Sequence, residues 1–174
     1  MNIPRRMNAP RRVNTRKSTM FPHIITIYNV DVYTDPYTSK EVITNYITIL
    51  RGVLLDESKA VNVRESGLVG ADAVNLYIPL DVKAVDGITG TPKTYLSPVE
   101  FWKADDKSKF WTMSVGVAKS EVTSGSCFFI KGEAVHPDES VDKLEMMYGG
   151  NVYDITTIDT KDFGGLQHWE VGAN

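Results

Sequence analysis

The stretch that most constrains this chain is its last, residues 152–172, VYDITTIDTKDFGGLQHWEVG. Residues 152–159 are dense in β-branched and aromatic side chains, which pack well on a pleated surface, and residues 166–171 follow a turn with two glycines. Together they predict a closing β-hairpin. Side chains alternate along a strand, so Gln167, Trp169 and Val171 share one face and Leu166, His168 and Glu170 the other. Trp169 and Val171 are expected on the buried face, with Tyr153 and Ile155 on the same side of the partner strand. A tryptophan this close to Asn174 predicts a chain end tied into the core, because a loose tail would leave that large apolar ring in water.

The rest of the chain supplies more strands. Its 174 residues suit one domain with a real core, and 42% hydrophobic content is ordinary for a globular protein. Residues 23–29 (HIITIYN) predict the first strand, and 31–40, with Asp35-Pro36 and Thr38-Ser39, a turn. Residues 42–55 form a long β-rich run, with Ile43, Ile47 and Ile49 on one face and Tyr46 and Leu50 on the other. That run is too long and too β-branched for a typical exposed edge. Residues 57–72 are polar, contain Gly67 and Gly70, and read as a loop. Residues 75–82 predict a strand with Leu76, Ile78 and Leu80 on one face and Pro79 at an edge or a strand end. Residues 86–94 read as a loop, and 97–109, which contain Trp102, as a turn-rich connection, a short helical turn or both. Two further strands are expected at 110–117 and 127–135, with polar residues 118–126 between them.

One helix is expected, over about 138–148. Asp138 is the expected N-cap, Glu139 and Asp142 sit in the first turn, and Val141, Leu144 and Met147 or Tyr148 recur at helical spacing. Gly149-Gly150 ends it. The fold class is therefore mainly β: an antiparallel β-sandwich or small β-barrel with one short helix and an extended N-terminal arm. The expected organisation is an arm at 1–20 and a single β-rich domain at 21–174.

Charge separates the two parts. The arm carries Arg5, Arg6, Arg11, Arg12, Arg16 and Lys17 and no acid. A net charge of −3 for the chain and +6 for the arm leave −9 for the body. Pro4, Pro10 and the lack of apolar periodicity give the arm no core of its own, so its six cations are expected to bind a partner. The twin arginines lack the apolar segment that a secretory signal needs.

The motifs that would carry chemistry are absent from the sequence. His23, His136 and His168 lie far apart, and neither HExxH nor a paired CxxC occurs, so no metal site is expected. Asp162-Phe163-Gly164 matches a kinase triplet without the glycine-rich loop and HRD segment that give it meaning, and it reads as a turn. A triad of Ser66, His168 and Asp159 has no GxSxG to support it. No catalytic residue and no cofactor is expected. Cys127 stands alone in the apolar run CFFI and is expected as a buried small hydrophobe. A stacking platform of Tyr28, Tyr46, Tyr77, Phe110, Phe128 and Phe129 on a nucleic-acid-binding β-barrel would need a basic groove, which an acidic body does not offer, so these aromatics are expected in the core. No apolar run approaches the roughly 20 residues that span a bilayer, and no membrane partner is expected.

The segments FPHIITIYN, LRGVLLDESKAVNVRESGL with ADAVNLYIPL, FWTMSVGV, FFIKGEAV and the ending YDITTIDTKDFGGLQHWEVGAN resemble a family of small structural proteins from tailed phages. The resemblance covers residues 21–174. Members of that family begin near Met20, so residues 1–19 are an addition. Such proteins resemble components of the head-to-tail connector, of the head-completion or stopper type. The resemblance implies a non-enzymatic virion protein of the phage neck, present in the bacterial cytoplasm during assembly. It implies a homo-oligomeric ring, hexameric or dodecameric, between portal or adaptor and the tail-tube or tail-terminator proteins, with passing contact with packaged DNA. The alternative is a tail terminator or another tail-proximal protein. A nucleic-acid-binding β-barrel module ranks below both.

Overall fold

The computed structural model describes residues 20–64, 67–115 and 125–174, with the side chains of 58–64 and 67–73 left aside. The strands are β1 (His23–Thr34), β2 (Glu41–Arg64), β3 (Gly67–Pro79), β4 (Lys83–Asp86), β5 (Pro92–Tyr95), β6 (Phe110–Trp111), β7 (Cys127–Lys131), β8 (Val152–Lys161) and β9 (His168–Ala173). The helices are α1 (Pro98–Lys103) and α2 (Val141–Tyr148). Strands β1, β7, β8, β9, β3 and β2 follow one another in hydrogen-bonded order, and the pairing of β1 with β2 closes them into a ring. Every pairing in the ring is antiparallel. This is the mainly β, small-barrel or sandwich architecture that the pattern of the chain predicts.

Two strands turn the corners of the ring. Strand β2 pairs with β1 along its first half and, from Leu54 onward, with β3. Strand β8 pairs with β7 at Val152 to Asp154 and with β9 from Ile155 onward. Both change sheets close to a β-bulge, which bends a strand and raises its twist. In β2 the register jumps from Arg51 to Val53 and leaves Gly52 unpaired at φ +87°, a conformation that glycine adopts without strain. In β8 it jumps from Ile155 to Thr157. The ring is thus flattened into a first sheet, β5-β4-β2-β1-β7-β8, and a second sheet, β2-β3-β9-β8.

The two sheets are covered differently, and the sequence shows why. Strands β1 and β7 lie inside the first sheet and are apolar on both faces, which accounts for the unbroken runs HIITIYN and CFFI. Ile25, Ile27 and Phe129 face the barrel interior with Leu50, Leu76, Ile78, Trp111 and Val171. Tyr28, Val30, Phe128 and Ile130 face outward and are covered by Val141 and Leu144 of α2. Tyr28 and Phe128 stack at 4.9 Å under that helix. The Tyr28 hydroxyl donates to the Ala134 carbonyl at 2.8 Å and accepts from the His136 amide at 3.2 Å. Burial pushes its pKa up to about 12. Burying each such large side chain stabilises the fold by about 1.5–3 kcal/mol.

The closing hairpin forms as predicted. Tyr153, Ile155, Trp169 and Val171 are all buried in the interior cluster. Trp169 meets Tyr95 at 4.6 Å and Trp111 at 5.9 Å. Asn174 exchanges backbone hydrogen bonds with Asp154, so the chain end is tied down.

Five expectations need correction. Residues 57–72 are not a loop: β2 and β3 continue through them as a paired ribbon as far as Arg64 and Gly67. Residues 86–94 are a hairpin, because Asp86 Oδ1 accepts from the amides of Ile88 and Thr89 and folds the turn so that β4 and β5 can pair. Of the run 110–117, residues 116 and 117 lie outside the described residues, and within 110–115 only Phe110–Trp111 is a strand, where β6 lies parallel to β5. Beyond it, Thr112 and Met113 are buried outside any ladder. The strand expected at 127–135 stops at Lys131, where Gly132 turns at φ +91°. Helix α2 begins at Val141, not near Asp138, because the Ser140 side chain accepts from the Lys143 amide and is the cap. The connection at 97–109 is both a helix and turns: Ser97 and Glu100 close a capping box at the start of α1, with Pro98 behind it.

Candidate functional site

Among the described residues, Lys93, Cys127 and the three histidines are held in structural contacts. The Lys93 side chain is fully buried, and its ammonium donates to the Ile47 carbonyl at 3.0 Å and Thr48 Oγ1 at 3.3 Å and pairs with Asp86 Oδ2 at 3.0 Å. Its three protons are therefore spent. Burial pushes its pKa below the usual lysine value, and Asp86 partly offsets that. Asp86 is itself penalised by burial, but hydrogen bonds from Thr89 and Lys93 outweigh this and hold its carboxyl below the usual range. The pair staples the β4–β5 hairpin to β2.

The remaining candidates are equally engaged. Cys127 is buried, its thiol pushed up to about 11 by desolvation, and it accepts from Asn29 Nδ2 at 3.3 Å. His23 Nδ1 accepts from the Leu55 amide at 2.9 Å, and His136 Nε2 lies 2.8 Å from the Tyr148 hydroxyl. His168 Nδ1 lies 2.9 Å from the Leu166 carbonyl. Ser66 lies outside the described residues, and Asp159 sits opposite Glu170 within reach of Lys161. Among the described residues, no three of His, Cys, Asp and Glu converge to hold a metal ion. No helix among them is long and apolar enough to cross a membrane. Tyr28, Phe128 and Phe129 are buried on two different faces of the first sheet, so they form no single platform, while Tyr46, Tyr77 and Phe110 are half-buried.

The unsatisfied features are surfaces. From Ser58 opposite Ala73 to Arg64 opposite Gly67, seven register pairs of β2 and β3 have no ladder partner but each other among the described residues. Strand β9 joins β3 only from Val74 onward. Both edges of this ribbon present backbone donors and acceptors that no other strand among the described residues takes up. At the other end of β2, the β1–β2 hairpin carries exposed Tyr33, Tyr37 and Ile43 at its tip. Among the described residues, α2 covers the first sheet and no helix lies in a hydrophobic cluster on the outer face of the second. That outer face carries Asp56 and Asp159, both exposed, and Glu170, half-buried. The arm residues Arg5, Arg6, Arg11, Arg12, Arg16 and Lys17 lie outside the described residues.

Sequence reasoning found the interior of the closing hairpin and missed the ribbon. The alternation Val61-Asn62-Val63-Arg64 was the available signal for a strand there. No curated protein and no solved structure matches this chain. Residues 21–174, the whole body, match a family of unknown function, DUF6751, and the chain belongs to that family.

Proposed function

We propose that this chain is a structural, non-enzymatic virion protein of a tailed phage. In this reading it is a head-to-tail connector component of the head-completion or stopper type and assembles as a ring between portal or adaptor and tail. The observation that carries the assembling role is the β2–β3 ribbon. A two-stranded ribbon standing alone is marginally stable in water. Its open edges are templates for pairing with another chain. A protein that keeps such an element has a use for it, and strand addition from a neighbouring subunit is the simplest one. Repeated head to tail about an axis, that contact closes a ring.

Charge agrees with the neck position. The body of −9 suits a channel that DNA must traverse without sticking, because like charge repels phosphate. The engaged state of Lys93, Cys127 and the histidines favours a structural role over a catalytic one. The resemblance of FPHIITIYN and of the HWEVG ending to neck proteins supplies the location.

Shortening the ribbon tests this. Replacing residues 59–72 by a two-residue Asn-Gly turn removes most of the free edges and none of the core residues identified among the described side chains. Light scattering and mass photometry should find the full chain in a defined ring and the shortened chain monomeric, with nearly unchanged melting. Rings of equal size and stability from both proteins would remove the ribbon as the assembling element.

A further inference from the structure

The open face of the second sheet is organised around charge. Its register runs one row across all four strands: Leu54 opposite Tyr77, Tyr77 opposite Glu170, and Glu170 opposite Asp159. The next row begins with Asp56 opposite Asn75. Lys161 lies 3.9 Å from both Asp159 and Glu170. Asp159 and Glu170 share Lys161 at one edge of the face and Asp56 stands on the strand at the other edge, so these carboxylates outnumber that lysine across the face. Beside it runs an apolar groove lined by Met20, Phe21, Leu54, Tyr77, Leu166 and His168. Met20, which lines this groove, directly follows in sequence a segment, residues 1–19, with six cations and no acid.

We propose that the outer face of the β2-β3-β9-β8 sheet is the receptor for the basic arm, residues 1–19, of a neighbouring copy of the chain. The assignment rests on the reading of the chain as a ring-forming protein and names one of its contacts. Charge complementarity selects the occupant: the planar fork of arginine meets a carboxylate with two hydrogen bonds. Reach selects the neighbour. At about 3.3 Å per residue an extended 19-residue arm spans roughly 60 Å, and Pro4 and Pro10 favour extension. Four strands at about 4.8 Å spacing make a face only about 15 Å across. The arm outruns its own face several-fold. An arm of one copy received by this face on the next copy makes a head-to-tail contact, the kind that closes rings. Each exposed pair contributes little, so the contact works through several pairs and weakens with salt.

A charge swap on the full chain tests it. One variant carries Arg5→Glu, Arg6→Glu, Arg11→Glu and Arg12→Glu; the other carries Asp56→Lys, Asp159→Lys and Glu170→Lys. Sedimentation velocity at low salt reads self-association of each alone and of an equimolar mixture, with thermal melts to show that both fold. Each variant alone should associate at least about tenfold more weakly than the natural chain, the sum of several weak pairs, and the mixture should recover. The milder pair Arg11→Glu with Arg12→Glu against Asp56→Lys with Asp159→Lys gives the same readout if the fuller variants misfold. Variants that each assemble like the natural chain overturn the receptor and leave the ring intact. Variants that weaken but do not recover on mixing place the arm on its own body or on another surface, and the assignment fails. A natural chain that stays monomeric at every concentration overturns the ring reading itself.

Discussion

At the scale of single residues, the interior is decided by Trp169. It closes an aromatic group with Tyr95 and Trp111 at the junction of β5, β6 and β9, so one side chain joins three elements that are distant in sequence. Trp169→Ala should cost about 3–5 kcal/mol, the range for emptying a large aromatic site in a core. Urea unfolding checks this, and a loss below about 1 kcal/mol, small on that scale, would make the closing strand peripheral. Asp86 gives a second handle. Its folded pKa is depressed, so the unfolded chain binds more protons in the acid range. Its contribution is complete above the ordinary aspartate value and fades as pH falls through the lowered folded value. Unfolding free energies measured down the acid limb should show that fade in the natural chain and lose it in Asp86→Asn. Equal slopes in both proteins would show that Asp86 is not linked to folding.

At the scale of elements, helix α2 separates what the chain makes legible from what it does not. The apolar spacing of Val141, Leu144 and Tyr148 and the stop at Gly149 are visible in one dimension. The start is not, because Asp138 and Ser140 are both good caps and tertiary contacts choose between them. Asn45 on β2 donates to the Pro137 carbonyl at 2.9 Å, which fixes the approach and leaves Ser140 to begin the helix. Ser140→Ala should therefore cost about 1 kcal/mol, as lost caps do, and Asp138→Ala less than about 0.5 kcal/mol. Thermal melts of the two variants decide it, and the reverse order would restore the start at Asp138. The same logic explains the strands. Burial on both faces wrote β1 and β7 into the sequence as apolar runs, and burial on one face wrote Trp169 and Val171 as an alternation. The ribbon of β2 and β3 carries only the short alternation Val61-Asn62-Val63-Arg64 amid polar residues and glycines, so it reads as a loop. The acidic face was hidden for another reason: Asp56 is far in sequence from Asp159 and Glu170, and only the register across four strands puts it on the same face of the sheet.

At the scale of the whole molecule, the parts that pack and the parts that do not are cleanly divided. The strands of the ring pair with one another, whereas among the described residues the ribbon, the aromatic hairpin tip and the acidic face have no strand or helix packed on them. A basic arm on an acidic body adds the charge asymmetry that heterologous contacts between copies use. These features support an assembling protein whose contacts point around a ring. The proposed role is tested most directly by electron cryomicroscopy of tailed phage particles produced with this chain. The account predicts a symmetric ring of it between portal and tail, with each ribbon pairing with a neighbouring subunit. Its absence from the particle, or its presence as isolated copies away from the neck, would contradict the account.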